Sequence, residues 1–197
     1  MLDTFLQFLG LAIGLVYLYY EYHADNKVWI AGLVMPLVSM FVYFRKGLYA
    51  DFGMNIYYLL MAVYGYLAWT GRLRIGKKKK EETPLAIRHL PFKDYLWLIP
   101  AAGAIWVAIA MFLVNATDST VPWADAFTTA LSIVGTWMLA RKYLEQWLAW
   151  ILVDVVCVAL YIYKGIYPYA LLYAIYTIVA VFGLRKWLRL MRDAQKL

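Results

Sequence analysis

Asp154 is a carboxylate inside an otherwise apolar stretch, residues 147–163. An ionisable group at that depth in hydrocarbon is expensive, and by default it faces protein or water and marks a site. Trp147, Trp150 and Tyr161 fall on the same helical face as Asp154. Indole and phenol faces attract a flat cation by stacking and through the ring quadrupole, a contact worth about 2 kcal/mol when desolvated. A nearby carboxylate adds the opposite charge. In the stretch 48–70, Asp51, Asn55 and Tyr58 fall at i, i+4 and i+7, and Tyr169, Tyr173 and Tyr176 repeat that spacing in 167–187. Their amide and hydroxyl groups can fix polar substituents. With Trp137 of the stretch 123–139, these residues make up a candidate substrate-binding set.

The chemistry this set suggests is binding, not bond breaking. No histidine lies in any apolar stretch, and only one carboxylate is deep, so an intramembrane protease or a metal-dependent hydrolase lacks its groups. No phosphate-cradling GxxxxGK[ST] run occurs. Catalytic residues, metal ligands and cofactors are therefore not expected. His23 and His89 fall in polar connections, and the lone Cys157 reads as a small packing residue. The competing readings are a membrane-embedded enzyme and a proton-coupled carrier of another small cation, with Asp154 as the coupling group.

The elements that must position these residues follow from composition. The chain is 65% hydrophobic and 16% charged, against about 45–50% and 25% for soluble domains. A chain of 197 residues cannot hide that much apolar surface from water. Lipid resolves the conflict. Seven apolar stretches can be cut, at 3–20, 28–44, 48–70, 94–114, 123–139, 147–163 and 167–187. Each is long enough to cross about 30 Å of hydrocarbon as a helix. The predicted class is an all-α integral membrane protein with seven transmembrane helices.

Of the 19 Lys and Arg, one side of the membrane receives 3 and the other 16. The positive-inside rule then puts the N-terminus outside and the C-terminus in the cytoplasm. The net charge of +7 thus belongs to cytoplasmic connections and does not call for nucleic acid. The run Lys77–Lys80 sits in the longest of them, 71–93, and reads as a solvated topogenic linker.

Sliding the chain along itself by 118 residues reveals a repeat. Trp29 falls on Trp147, Tyr43 on Tyr161, Lys46 on Lys164, Gly47 on Gly165, Tyr49 on Tyr167, Tyr58 on Tyr176, Gly65 on Gly183 and Trp69 on Trp187. Asp154 falls on Pro36, so the halves differ there. The organisation is a first three-helix repeat at 1–70, a basic cytoplasmic loop at 71–93, a linker helix at 94–114, a second three-helix repeat at 123–187 and a cytoplasmic tail at 188–197. Four crossings separate corresponding helices, so the repeats are parallel. Carriers built this way bind substrate near the midplane between repeats. Trp69 and Trp187, at span ends, read as interfacial anchors.

Several segments together resemble the Pnu-type vitamin transporter family. They are Gly47-Leu48-Tyr49-Ala50-Asp51, Tyr64-Gly65-Tyr66-Leu67-Ala68-Trp69, Pro122-Trp123-Ala124-Asp125-Ala126 and Glu145-Gln146-Trp147-Leu148-Ala149-Trp150. The resemblance covers about residues 10–190. It implies a 3+1+3 pseudo-repeat, a full-length relative of the SWEET carriers, in the bacterial inner (plasma) membrane. It also implies a homotrimer that imports a B-type vitamin by facilitated diffusion, with a cytoplasmic vitamin kinase trapping the product. Nicotinamide riboside and thiamine, both flat cations, are the implied substrates, with riboflavin a further class. By position, Trp147 and Trp150 would form an aromatic clamp. Asn55 stands where the riboside carriers usually have Gln, and Asp154 where they usually have Asn.

Overall fold

The computed structural model describes residues 2–45, 49–72 and 85–194, with side chains described from residue 12 except at 35, 38, 41–45 and 49–51. The lysine run 77–80 and the repeat pair positions 46 and 47 lie outside the described residues. So do the side chains of Tyr43, Tyr49 and Asp51. The described chain forms seven helices: α1 (Leu2–Tyr22), α2 (Lys27–Arg45), α3 (Tyr49–Trp69), α4 (Phe92–Ala116), α5 (Pro122–Ala140), α6 (Gln146–Tyr163) and α7 (Tyr167–Ala194). Each coincides with one expected span. The largest difference is α7, which runs on to Ala194 instead of ending at 187. Leu188, Leu190 and Met191 keep its apolar stripe going, and Arg192 in the last turn suits the negative end of the helix dipole. Residues 188–194 are therefore helix and not an irregular tail.

Among the described residues, α4, α6 and α7 are long and apolar enough to cross a membrane by length and composition alone. α5 is diluted by Ser, Thr and Asp.

The chain divides into two compact units, residues 1–86 and 87–197. In the first, α2 packs against α1 and α3. In the second, α4, α5, α6 and α7 pack in sequence, so the expected linker helix α4 lies against α5.

The same local structures recur in both units at the 118-residue offset. The α1–α2 turn places Ala24 at φ 52°, and the α5–α6 turn places Lys142 at φ 53°. Both turns close with the same backbone bonds. Ala24 N–H donates to Glu21 O at 3.0 Å, and Lys142 N–H to Leu139 O at 2.9 Å. Asp25 N–H donates to Tyr20 O at 3.0 Å, and Tyr143 N–H to Met138 O at 2.9 Å. This is the bonding of a helix ended by a left-handed residue.

Each unit then buries a pair of crossed tryptophans. Trp29 and Trp69 meet edge to face with centroids 5.5 Å apart, and Trp147 and Trp187 do so at 5.8 Å. All four are fully buried. Trp29 rests on Gly65 of α3, and Trp147 on Gly183 of α7. A Cβ at either glycine would meet the indole within 3 Å. A flat ring in a glycine notch lets two helices approach closely while burying a large apolar surface. Trp69 and Trp187 are thus core residues of their units. This corrects the expectation of interfacial anchors, which rested on their position at span ends. The notch on the neighbouring helix captures them first.

Candidate substrate-binding site

The start of α6 is fixed from outside the bundle. Residues 87–91 run along the α5–α6 turn as a strap. Arg88 N–H donates to Lys142 O at 3.1 Å, and Leu144 N–H to Arg88 O at 3.0 Å. The Glu145 carboxylate accepts Leu90 N–H at 2.8 Å and lies 2.8 Å from His89 Nδ1. His89 therefore has a defined partner despite its exposure. Tyr143 donates from its hydroxyl to Asp94 at 3.0 Å while the Arg88 guanidinium lies over its ring. Burial lowers the Lys142 ammonium to about 8.

From that fixed start, α6 carries Gln146, Trp150 and Asp154 at i, i+4 and i+8, on one side of the helix. Asp154 is only 6% exposed and accepts no hydrogen bond from the described residues. Trp150 lies edge-on to Gly135 of α5, and its indole N–H is buried with no acceptor among the described residues. One turn further along α6 lies Cys157, also buried. Tyr161 of α6 stacks on Tyr173 and Tyr169 of α7, each at 5.3 Å between centroids. Tyr173 in turn meets Tyr176 edge to face at 5.8 Å. The α6–α7 surface thus carries a short ladder of phenols, while Trp150 and Asp154 share a face of α6 and the Trp150 ring lies on the α5 side. Such a surface can hold a flat, polar ring, above all a cationic one.

The sequence-based candidates separate on this geometry. Trp150 and Asp154 share one side of α6, and Tyr173 and Tyr176 meet on α7. Trp147 also lies on α6, but its ring is enclosed by Gly183 and Trp187. Trp137 turns to another neighbourhood, edge to face with Trp97 at 5.1 Å and tilted on Tyr143 at 5.7 Å. Asn55 and Tyr58 lie on α3 of the first unit, where Tyr58 meets Tyr57 at 5.5 Å and lies near Tyr17 of α1. Asp51 sits in the first turn of α3, and its side chain lies outside the described residues. Gln146 was missed. Its signal was present in the sequence: it stands four residues before Trp150, the spacing that already linked Trp150 to Asp154.

Seven helices among the described residues, several of them long and apolar enough to cross a membrane, define a multi-pass membrane protein. Residues 4–189 match the family described as nicotinamide mononucleotide transporter, and the chain belongs to that family. The nicotinamide riboside transporter PnuC of Escherichia coli (strain K12) is 27% identical over 186 residues, spanning 82% of this chain and 76% of the relative. The riboflavin/roseoflavin transporter RibM of Streptomyces davaonensis is 29% identical over 188 residues, spanning 94% and 86%. The crystal structure of the vitamin B3 transporter PnuC superposes with a TM-score of 0.71 at 22% identity, covering 97% of this chain and 83% of that one. This likeness supports the fold. By its family the chain is a transporter and not an enzyme.

Proposed function

We propose that the protein imports a flat-ringed B-type vitamin across the bacterial inner membrane by facilitated diffusion. The observation that carries this reading is the buried Asp154, with no hydrogen-bond partner among the described residues, one helical turn from Trp150. The indole stacks on the vitamin ring, the carboxylate faces its positive charge, and Tyr173 and Tyr176 meet its hydroxyl groups. Nicotinamide riboside is the first substrate to try, because its pyridinium is cationic and because relatives of this chain carry it. Thiamine offers the same charge. The likeness to a riboflavin carrier favours a second reading, a neutral isoalloxazine ring stacked on the same indole.

In this reading the two three-helix repeats, with α4 between them, form a 3+1+3 parallel arrangement like a full-length SWEET carrier. Asn55, Tyr58 and Asp51 of α3 are further candidates for contact with the substrate. Trp147 supports the clamp from behind, and Trp137 steadies the α5–α6 turn. The N-terminus lies outside and the C-terminus in the cytoplasm, where a vitamin kinase phosphorylates and traps the product. The working assembly is a homotrimer.

Proteoliposomes loaded with labelled nicotinamide riboside, thiamine or riboflavin test the mechanism. At least one vitamin should equilibrate down its gradient without ATP and without a proton gradient. Concentrative uptake that collapses with an uncoupler would overturn the uniport reading and make Asp154 a coupling group.

A further inference from the structure

The two polar atoms of the Gln146 side-chain amide are both buried, and neither has a partner among the described residues. The residue is 0% exposed. A buried amide left unpaired is destabilising, and natural structures rarely keep one without a reason. Gln146 is also the end member of the row that continues through Trp150 and Asp154. Along the helix axis Gln146 lies about 6 Å from Trp150, and Asp154 lies about 6 Å beyond it on the other side.

The repeat sharpens the point. At the 118-residue offset, Gln146, Trp150 and Asp154 correspond to Val28, Gly32 and Pro36 of α2. The scaffold positions agree between the units, whereas these three positions all change from inert to interacting. Gln146 thus varies with the site and not with the scaffold.

We infer that Gln146 is a third substrate-contacting residue of α6, recognising the amide-type edge of the vitamin ring while the ring lies on Trp150. A carboxamide offers one acceptor and two N–H donors. It therefore pairs with an edge that sets an N–H beside a carbonyl or ring nitrogen, as a pyridine carboxamide, a pyrimidinedione or an aminopyrimidine does. The vitamin is then held at three points: its edge at Gln146, its ring face at Trp150, and its charge or hydroxyls toward Asp154. This rests on the reading of Trp150 and Asp154 as the vitamin site.

The test uses the full-length protein in detergent, titrated with nicotinamide riboside and with pyridine riboside, which lacks the carboxamide. Gln146→Leu keeps the volume and removes both polar groups of the side chain. It should raise the Kd for the amide about tenfold, the loss expected for one buried hydrogen-bonded pair, and change the Kd for pyridine riboside by much less. Its melting temperature without ligand should be at or above that of the parent, because an unpaired amide has gone. If Gln146→Leu does not fold, Gln146→Met, which keeps the length and loses both polar groups, is read by the same ratio. If the parent binds neither riboside, riboflavin and its N3-methyl derivative replace them as the pair. Equal loss for both ligands, or no loss, overturns the inference. Trp150→Ala run in parallel separates the two levels. If it abolishes binding while Gln146→Leu is neutral, only the inference fails. If both are neutral, the site reading fails with it.

Discussion

Helices α2 and α6 are the same element used twice, with different contents. Each follows a turn closed by a left-handed residue, Ala24 or Lys142. Each starts by sending a tryptophan into a glycine notch on the next helix, Trp29 on Gly65 and Trp147 on Gly183. Beyond that they diverge. α2 continues with Gly32, which accepts the ring of Tyr17, and with Pro36, which removes a backbone donor. α6 puts Trp150 and Asp154 at those places. Where the copies agree, the residues hold the fold. Where they differ, one copy carries polar groups that have no partner among the described residues. A duplicated scaffold can be read in this way without any third sequence, because the second copy serves as the control for the first.

The largest effects should come from the shared notches. Gly183→Ala and Gly65→Ala each force an indole out of its seat, and each should cost about 1–3 kcal/mol, the usual penalty for overpacking. Thermal unfolding in detergent checks this. A large loss for one and none for the other would mean that the two notches do not play the same role.

Next comes the carboxylate. Asp154→Asn should weaken a cationic vitamin more than a neutral one of similar size, because charge is lost and shape is kept. Equal weakening of nicotinamide riboside and riboflavin would make Asp154 a structural residue. The corresponding change in the other copy, Pro36→Ala, should leave vitamin selectivity where it was.

The turn residues should give the smallest effects. Ala24→Gly and Lys142→Gly relieve a left-handed backbone and should each raise stability by roughly 1 kcal/mol. Lys142 carries a further signature. Its ammonium is held to about 8 in the folded protein, below the value of about 10.4 in an unfolded chain. The unfolded chain thus binds more protons between those values, and stability should rise with pH across that window. Lys142→Met should flatten the rise. A parent protein whose melting temperature is flat or falling there contradicts the burial of that amine.

The helices were almost fully legible in the sequence, because apolar runs long enough to span hydrocarbon have few other uses. The paired Trp–Gly contacts had a trace there as well, since Trp29 and Trp147, like Gly65 and Gly183, fall at one 118-residue offset. The burial of Trp69 and Trp187 was not legible. Position at a span end points to the lipid interface, and only the partner helix shows that a glycine notch receives each ring. The different surroundings of Trp147 and Trp150 were hidden for the same reason. Three residues apart on one helix, they look alike until Gly183 is seen beneath one of them. Gln146 was overlooked because an amide at a helix start reads as ordinary surface, and its burial depends on how the turn folds.

The central claim is that the vitamin meets α6 where the repeats differ and not where they agree. Calorimetric titration of the vitamin that the parent transports tests it on Trp150→Ala beside Trp147→Phe. The account predicts that Trp150→Ala keeps its melting temperature and loses affinity by about ten- to hundredfold, the size of one desolvated stacking contact. It predicts that Trp147→Phe loses stability and binds normally once folded. Normal binding by Trp150→Ala, or selective loss of binding by a stable Trp147→Phe, would contradict it.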